Sequence, residues 1–306
     1  MLLENAELQT VRDFLRWTIS RLGESDLYFG HGTDNVQDEA LYLICGALHL
    51  PFDLDGRLLD GVLTQQEREK LLGLLDRRVR ERVPVAYLVG EAWFAGLAFN
   101  VDERVLVPRS PIAELIANEF QPWLSRVEPR RILDLCTGSG CIGIACAYVF
   151  PDAQVCLSDI SEGALEVACG NIARHNLAAR VSTLSSDLFE ALAGEQKFDL
   201  IVSNPPYVDA DDLAAMPAEF HAEPPLGLGS GDDGLDITCR ILAQAADHLT
   251  DDGLLVVEVG NSGAALDQRY PDLPLTWVEF EYGGHGVFVM SKQELLASRA
   301  LIGSRL

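Results

Sequence analysis

The stretch Arg131-Ile132-Leu133-Asp134-Leu135-Cys136-Thr137-Gly138-Ser139-Gly140-Cys141-Ile142-Gly143 decides the fold. Its first half, RILDLC, reads as a buried strand, and the run from Cys141 to Phe150 reads as a helix. Between them Gly138, Gly140 and Gly143 fit G-x-G-x-x-G, the loop that brings a nucleotide-bearing ligand close to a backbone turn. Glycine there permits both the tight turn and the close approach. Units of this kind carry an acid about 20 residues on that meets the ribose. Asp159, which ends the run AQVCLSD, stands at that distance.

Outward from this stretch, strand and helix patterns alternate. Ser161 to His175 reads as a helix capped by Ser161, RVSTL and FDLIVS as strands, Leu235 to Leu249 as a helix, and LLVVEV as a strand. Such alternation predicts an α/β fold, with a parallel sheet covered by helices on both faces. LTWVEFEY and GVFVM, separated by Gly283-Gly284-His285-Gly286, read as an antiparallel pair that closes the sheet.

Upstream the texture is helical to about residue 85. Apolar residues from Ala6 to Leu22 recur with a 3.6-residue period. Asn35 or Asp34 caps a second helix stopped by Pro51. Thr64-Gln65-Gln66-Glu67 is a capping-box pattern that opens a third helix to about Arg82. Ala92 to Val107 holds short β-like runs, WFAGLAFNV and VLV, with Gly96 as the turn of a hairpin. Ser110-Pro111 starts a further helix, with Ser110 as cap. The predicted division is a helical domain over 1–88, a hairpin linker over 89–108 and a catalytic domain over 109–306.

With 48% hydrophobic and 23% charged residues, the 306-residue chain has the balance of a globular protein with a sizeable core. Its start, MLLENAELQT, has acids and no basic residue and does not read as a secretory signal. The apolar stretch from Leu41 to Phe52 is too short to span a bilayer. A cytoplasmic location is expected. Seven cysteines without a CxxC pair suggest small buried hydrophobes rather than disulfides. Six scattered histidines show no metal-ligand spacing, so no metal is expected. The net charge of −24 suits basic partners and argues against gripping nucleic acid, whose affinity comes from Lys and Arg on phosphates. The acids cluster: no Lys or Arg lies between Lys197 and Arg240, where Asp199, Asp209, Asp211, Asp212, Glu219, Glu223, Asp232, Asp233 and Asp236 fall. That interval reads either as a solvated loop or as an acidic lip around a site for a basic substrate.

The glycine loop by itself leaves the ligand open. A pyrophosphate is served by a helix N-terminus, whereas Asp134 beside the loop suits a cationic ligand such as the ammonium and sulfonium of S-adenosylmethionine. The string Asn204-Pro205-Pro206-Tyr207, at the end of FDLIVS, chooses between them. Two prolines end the strand and hold the backbone extended, leaving aimed carbonyls with no competing N–H. With the Asn204 side chain they make an acceptor site for a planar –NH₂ group.

These residues, with Ser186-Asp187, resemble the seven-stranded, Rossmann-like class I S-adenosylmethionine-dependent methyltransferases with an NPPY motif. The likeness covers about 110 to 291, and the helical N-terminus, hairpin and acidic loop extend it to the protein-glutamine N5-methyltransferases. Val107-Pro108-Arg109-Ser110-Pro111-Ile112-Ala113-Glu114 is closer to the branch acting on protein three of the large ribosomal subunit than to the release-factor branch, which reads PRPDTE here. The resemblance implies cofactor contacts from Asp134, Cys136, Thr137, Gly138, Gly140, Asp159, Ile160, Asp187, Leu188 and Asn204. Asp159 would meet the ribose hydroxyls, and Asp187 and Leu188 would flank the adenine. It implies a substrate amide held by Asn204, Pro205, Pro206 and Tyr207. Arg109 is a candidate substrate contact, and His221 and Glu223 would shape a loop over the site. The helical domain would recognise a basic ribosomal protein. The alternatives are a release-factor enzyme, a DNA adenine-N6 methyltransferase, against which the charge argues, and a non-catalytic ribosome-associated module.

Overall fold

A computed structural model describes residues 8–124, 128–194 and 196–305. Two short strands, β1 (Glu91–Phe94) and β2 (Leu97–Asn100), form a hairpin whose turn residues Ala95 and Gly96 both take positive φ. Seven more strands build the main sheet: β3 (Arg131–Leu135), β4 (Gln154–Asp159), β5 (Val181–Ser185), β6 (Phe198–Ser203), β7 (Leu249–Glu258), β8 (Thr276–Trp277) and β9 (Val287–Ser291). Their order is β5-β4-β3-β6-β7-β9-β8. All neighbours are parallel up to β7, and β9 is antiparallel to both β7 and β8. The predicted α/β, seven-stranded sheet closed by an antiparallel strand is therefore the fold observed.

The pleat of the central strands explains why they read as continuous apolar runs. Successive side chains point to opposite faces, and both faces are covered. Ile132, Leu200, Val202, Leu254, Val256, Val287 and Val289 pack in one core cluster. Their alternates Leu133, Leu135, Ile201, Leu255, Val257, Phe288 and Met290 pack in another. The chain turns from β3 to β4 on one side, while β6 pairs with β3 on the other. The crevice at the carboxyl ends of β3 and β6 is thus the topological switch point, where ligands bind in open α/β sheets.

By its internal contacts the chain divides into two units. The first runs to Ala92 and takes in Val101–Glu103 and Pro217–Ala222; the second holds Trp93–Asn100, Arg104–Met216 and the chain from Glu223 on. In the first unit the helices Val11–Gly23, Val36–Leu48 and Gln65–Asp76 surround a small core that includes Val11, Phe14, Ile44 and Leu71. Arg78, 1% exposed, is buried there between two acids. Its Nε donates to Glu39, its Nη1 lies 3.3 Å from Glu219, and its Nη2 donates to the Tyr28 carbonyl at 2.9 Å.

Several element boundaries differ from the sequence reading. The first helix begins at Val11, because Thr10 and Asp13 close a capping box at that point; of its predicted start, Ala6 and Glu7 lie outside the described residues. The third helix does open on the Thr64–Glu67 box but passes into a π-helical turn over Arg77–Glu81. VLV forms no strand, and LTWVEFEY is strand only at Thr276 and Trp277, followed by one bond from the Val278 amide to the Val287 carbonyl. The helix predicted from Leu235 is confined to Asp236–Gln244, and β7 already starts at Leu249. Among the described residues, no helix is long and apolar enough to cross a membrane, and no group of three or more His, Cys, Asp or Glu is suited to hold a metal ion.

Candidate active site

The loop after β3 is braced from within. Asp134, 1% exposed, accepts from the Thr137 hydroxyl at 2.6 Å and from the Gly143 amide at 2.9 Å. Burial raises its carboxyl to about 7, against the pull of those two donors. Gly143 is required by packing, since a Cβ there would lie 2.2 Å from Leu157 Cδ2. The Thr137 amide donates to the Ser158 carbonyl, the Gly140 amide to the Thr137 carbonyl, and the Gly138 amide to Asp159 Oδ2 at 2.9 Å. The Thr137, Gly138 and Gly140 amides are therefore already paired, and through Gly143 the buried Asp134 carboxylate sits against the first turn of the helix, where a pyrophosphate would put its charge. That geometry disfavours a dinucleotide.

A cavity of about 220 Å³ opens at the switch point. The loops at the carboxyl ends of β3 to β6 contribute to its wall: Cys136 and Gly138 after β3, Asp159 and Ile160 at β4, Ser186, Asp187 and Leu188 after β5, and Asn204 and Pro206 after β6. Asp159 accepts one amide on each oxygen, from Gly138 and Ser161, so lone pairs remain on both for a ligand's hydroxyls. Its carboxyl is raised, chiefly by burial. Gly138 has φ +55°, and a Cβ there would meet nothing within 4 Å, so the loop backbone itself fronts the open space. Leu188, Ile160, Leu106 and Ile237 give apolar surface, and Arg240 holds Asp187 at 2.9 Å. A carboxylate with free lone pairs, apolar flats and an exposed backbone turn fit the nucleoside of S-adenosylmethionine.

Asn204 is half-buried on this wall, and among the described residues no protein group is hydrogen-bonded to its side-chain amide. Pro205 and Tyr207 adjoin these lining residues along the chain without themselves lining the cavity. The Tyr207 hydroxyl donates to Glu258 Oε1 at 3.0 Å, and its carbonyl accepts from Ser262 at 2.7 Å. Asp134, Thr137 and Gly140, expected at the cofactor, likewise shape the loop from behind rather than line the cavity.

A family model described as the methyltransferase small domain matches residues 113–222. The ribosomal protein uL3 glutamine methyltransferase of Francisella tularensis subsp. tularensis is 50% identical over 290 residues, covering 94% of this chain and 92% of that protein. The chain belongs to the ribosomal protein uL3 glutamine methyltransferase family. A second member, from Xanthomonas campestris pv. campestris, is 52% identical over 296 residues, covering 97% of this chain and 96% of its own. Among solved structures, the hMettl16 catalytic domain in complex with MAT2A 3'UTR hairpin 1 aligns with a TM-score of 0.50 at 18% identity. It covers 75% of this chain and 82% of that one, a likeness of fold.

As a uL3 glutamine methyltransferase family member the chain is a methyltransferase, and its structure alters the roles read from single residues. Arg109, expected at the substrate, is instead clamped by Glu223, with Nη1–Oε1 at 2.7 Å and Nη2–Oε2 at 2.6 Å; Glu223 Oε1 also accepts the Val107 amide. Glu219 and Glu223 are buried, so they do not belong to an acidic lip. The exposed acids of that interval are Asp211, Asp212, Asp232 and Asp236. Sequence reasoning missed Arg104, Arg240, Ile237 and the segment Pro224 to Gly229 on the cavity wall. It also missed Glu258, and Asn171, which donates to the Ser139 carbonyl at 2.9 Å and ties the glycine loop to Asn100. Arg240 and Asn171 lie on helices otherwise read for their apolar faces, and nothing local marks them.

Proposed function

We propose that this chain transfers the methyl group of S-adenosylmethionine to the side-chain amide nitrogen of a glutamine in ribosomal protein uL3. The observation that carries this reading is the meeting of Asn204 and Pro206 with Gly138 and Asp159 on one cavity wall. An –NH₂ acceptor set stands there beside a nucleoside-type site. Bound in the cavity, S-adenosylmethionine supplies an electrophilic methyl carbon, so neither a metal nor a covalent enzyme intermediate is needed.

The protein's task is to place a poor nucleophile. An amide nitrogen has its lone pair delocalised into the carbonyl, and it gains most from a fixed approach at about 3–3.5 Å to the reacting carbon. The Asn204 side-chain oxygen and the Pro205 carbonyl accept from the –NH₂ group and stabilise the positive charge that grows on nitrogen. As the N–C bond forms, the methyl–sulfur bond breaks with its electron pair left on sulfur as a neutral thioether, and one amide proton is released to water. Pro206 stiffens the turn, and the half-buried ring of Tyr207 shields the amide from solvent. Asp159 receives the ribose hydroxyls, Asp187 and Leu188 flank the adenine, and Cys136, Gly138 and Ile160 border the nucleoside. Asp134, Thr137 and Gly140 hold the loop in shape.

The helical first unit serves recognition of the protein substrate. Asp211, Asp212, Asp232 and Asp236 favour a basic one, and the chain's negative charge disfavours direct nucleic-acid recognition. A ribosomal protein substrate implies a cytoplasmic setting with no membrane partner. Incubation with labelled S-adenosylmethionine and ribosomal proteins from a strain lacking the enzyme tests the reading. One methyl group on a uL3 glutamine is expected. Label on a release factor instead would move the same chemistry to the other branch, and no label on any glutamine would refute it.

A further inference from the structure

We infer that Ser110, Glu258 and Tyr207 act as one positioning unit that fixes the Asn204–Tyr207 turn against the cavity; this rests on the methyl-transfer reading above. Glu258 closes β7 and is 4% exposed. Its carboxylate lies between two hydroxyls: Ser110 Oγ donates to Oε2 at 2.5 Å, and Tyr207 Oη donates to Oε1 at 3.0 Å. Ser110 Oγ also accepts the Ile112 amide at 3.1 Å, which leaves its own proton for Glu258. With Glu258 ionised, both hydroxyls therefore donate to it.

Tyr207 is also held on its other sides. A Cβ on Gly260 would lie 2.6 Å from ring atom Cε2, so the ring rests on bare backbone. A Cβ on Gly234 would lie 2.2 Å from the Tyr207 carbonyl oxygen, which Ser262 holds as well. Space-filling alone does not account for this. Phenylalanine would fill the same volume without a buried acid, and burying a carboxyl group is unfavourable unless its hydrogen bonds are met. Satisfied networks of this kind fix orientation. Only two prolines separate Tyr207 from Asn204, and proline fixes φ, so an anchored Tyr207 fixes the direction of the Pro205 carbonyl. Through Glu258, the hydroxyl of Ser110 reaches a turn that lies far from it along the chain.

These are positioning residues, and a double-mutant cycle separates positioning from mere packing. Wild type, Ser110→Ala, Ser110→Thr, Tyr207→Phe and the Ser110→Ala/Tyr207→Phe double variant are compared for kcat and KM on uL3, S-adenosylmethionine affinity and Tm. Each single hydroxyl loss is expected to lower kcat about tenfold, with cofactor affinity within about twofold of wild type, as for an interaction used in the transition state. The double variant is no worse than the worse single, and Ser110→Thr restores the rate. If Ser110 only caps its helix, Ser110→Ala lowers Tm and leaves kcat intact, and that result overturns the inference. Losses that multiply in the double variant overturn it too. Hydrogen exchange at the Asn204, Tyr207 and Val208 amides needs no substrate and separates this inference from the choice of substrate. Both single variants raise it to a common level, and unchanged exchange in Ser110→Ala refutes the unit even if uL3 is not methylated.

Discussion

Tyr207 donates its hydroxyl to Glu258 across 51 positions of sequence, and the acceptor is a carboxyl group buried at the end of a central strand. Burial raises that carboxyl to about 7, while the Ser110 and Tyr207 hydroxyls and the Arg109 charge oppose the rise. Tyr207 is pushed upward in turn, first by burial and then by the Glu258 charge. The site thus holds a proton near neutrality that an unfolded chain releases at lower pH.

The sign of the resulting pH dependence follows. From the ordinary glutamate value of 4.5 to about 7, the folded protein keeps a proton that the unfolded chain has lost. Stability from the neutral form is complete below the lower value and is lost as pH rises through the upper one. Glu258→Gln cannot ionise and escapes that loss, whereas Asp134 is present in both proteins and cancels. Urea midpoints should show the variant gaining on wild type by ~3 kcal/mol between about pH 5 and about pH 8. A gap independent of pH would contradict the assignment.

Asn204 lines the cavity with no side-chain hydrogen-bond partner among the described residues, so its removal should strike transfer before binding. Asn204→Ala is expected to lower methyl transfer by about 10²-fold or more, the scale of losing one preorganised polar partner of the transition state. Cofactor affinity should fall by about tenfold or less, the equivalent of one hydrogen bond. Calorimetry with S-adenosylmethionine and a label-transfer assay give the two numbers. Full activity in the variant would remove Asn204 from the mechanism.

The two glycines Gly138 and Gly143 should separate binding from stability. A Cβ at Gly143 would sit 2.2 Å from Leu157 and 3.0 Å from Asp134, both held by packing. Gly143→Ala is therefore expected to destabilise by ~1–3 kcal/mol through overpacking. At Gly138 the Cβ meets nothing, but the positive φ is strained for alanine and the methyl group enters the space next to the ligand. Gly138→Ala should weaken cofactor binding with a smaller shift in the urea midpoint. Equal effects at the two sites would contradict this geometry.

How far these features were legible follows from their range along the chain. The strands of the sheet are buried on both faces and so read as apolar runs, and the glycine loop, Asp159 and the NPPY string are each marked by a short pattern at a strand end. Strand β8 is shorter than LTWVEFEY suggests: the composition is β-like throughout, yet only Thr276 and Trp277 form strand. Tertiary pairings left no local mark. Arg109 finds Glu223 at a separation of 114, and Asn171 finds Asn100 at 71. Glu219 and Glu223 belong to an acidic run whose composition says solvent. Buried Arg78 draws Glu219 inward and half-buried Arg109 draws Glu223, and charge counting along the chain cannot see that.

Arg78 gives the sharpest test of those inward acids. It is 1% exposed in the first unit, with Glu39 and Glu219 at 3% and 2%. Truncating the cation in Arg78→Met leaves two carboxylates in a buried setting. Glu39 then keeps the Thr33 hydroxyl, and Glu219 keeps the Tyr28 amide and Arg82 at 3.3 Å. Breaking a buried pair from one side costs ~3–5 kcal/mol, because an uncompensated charge remains. Replacing all three residues by apolar ones of similar volume should recover most of that loss, since the penalty lies in the unpaired charges and not in missing volume. Hydrogen exchange across Val36–Leu48 and Gln65–Asp76 reports the outcome. Arg78→Met should raise exchange in both helices and the triple variant should lower it again; a triple variant less protected than the single one would show that the ion cluster itself holds this unit together.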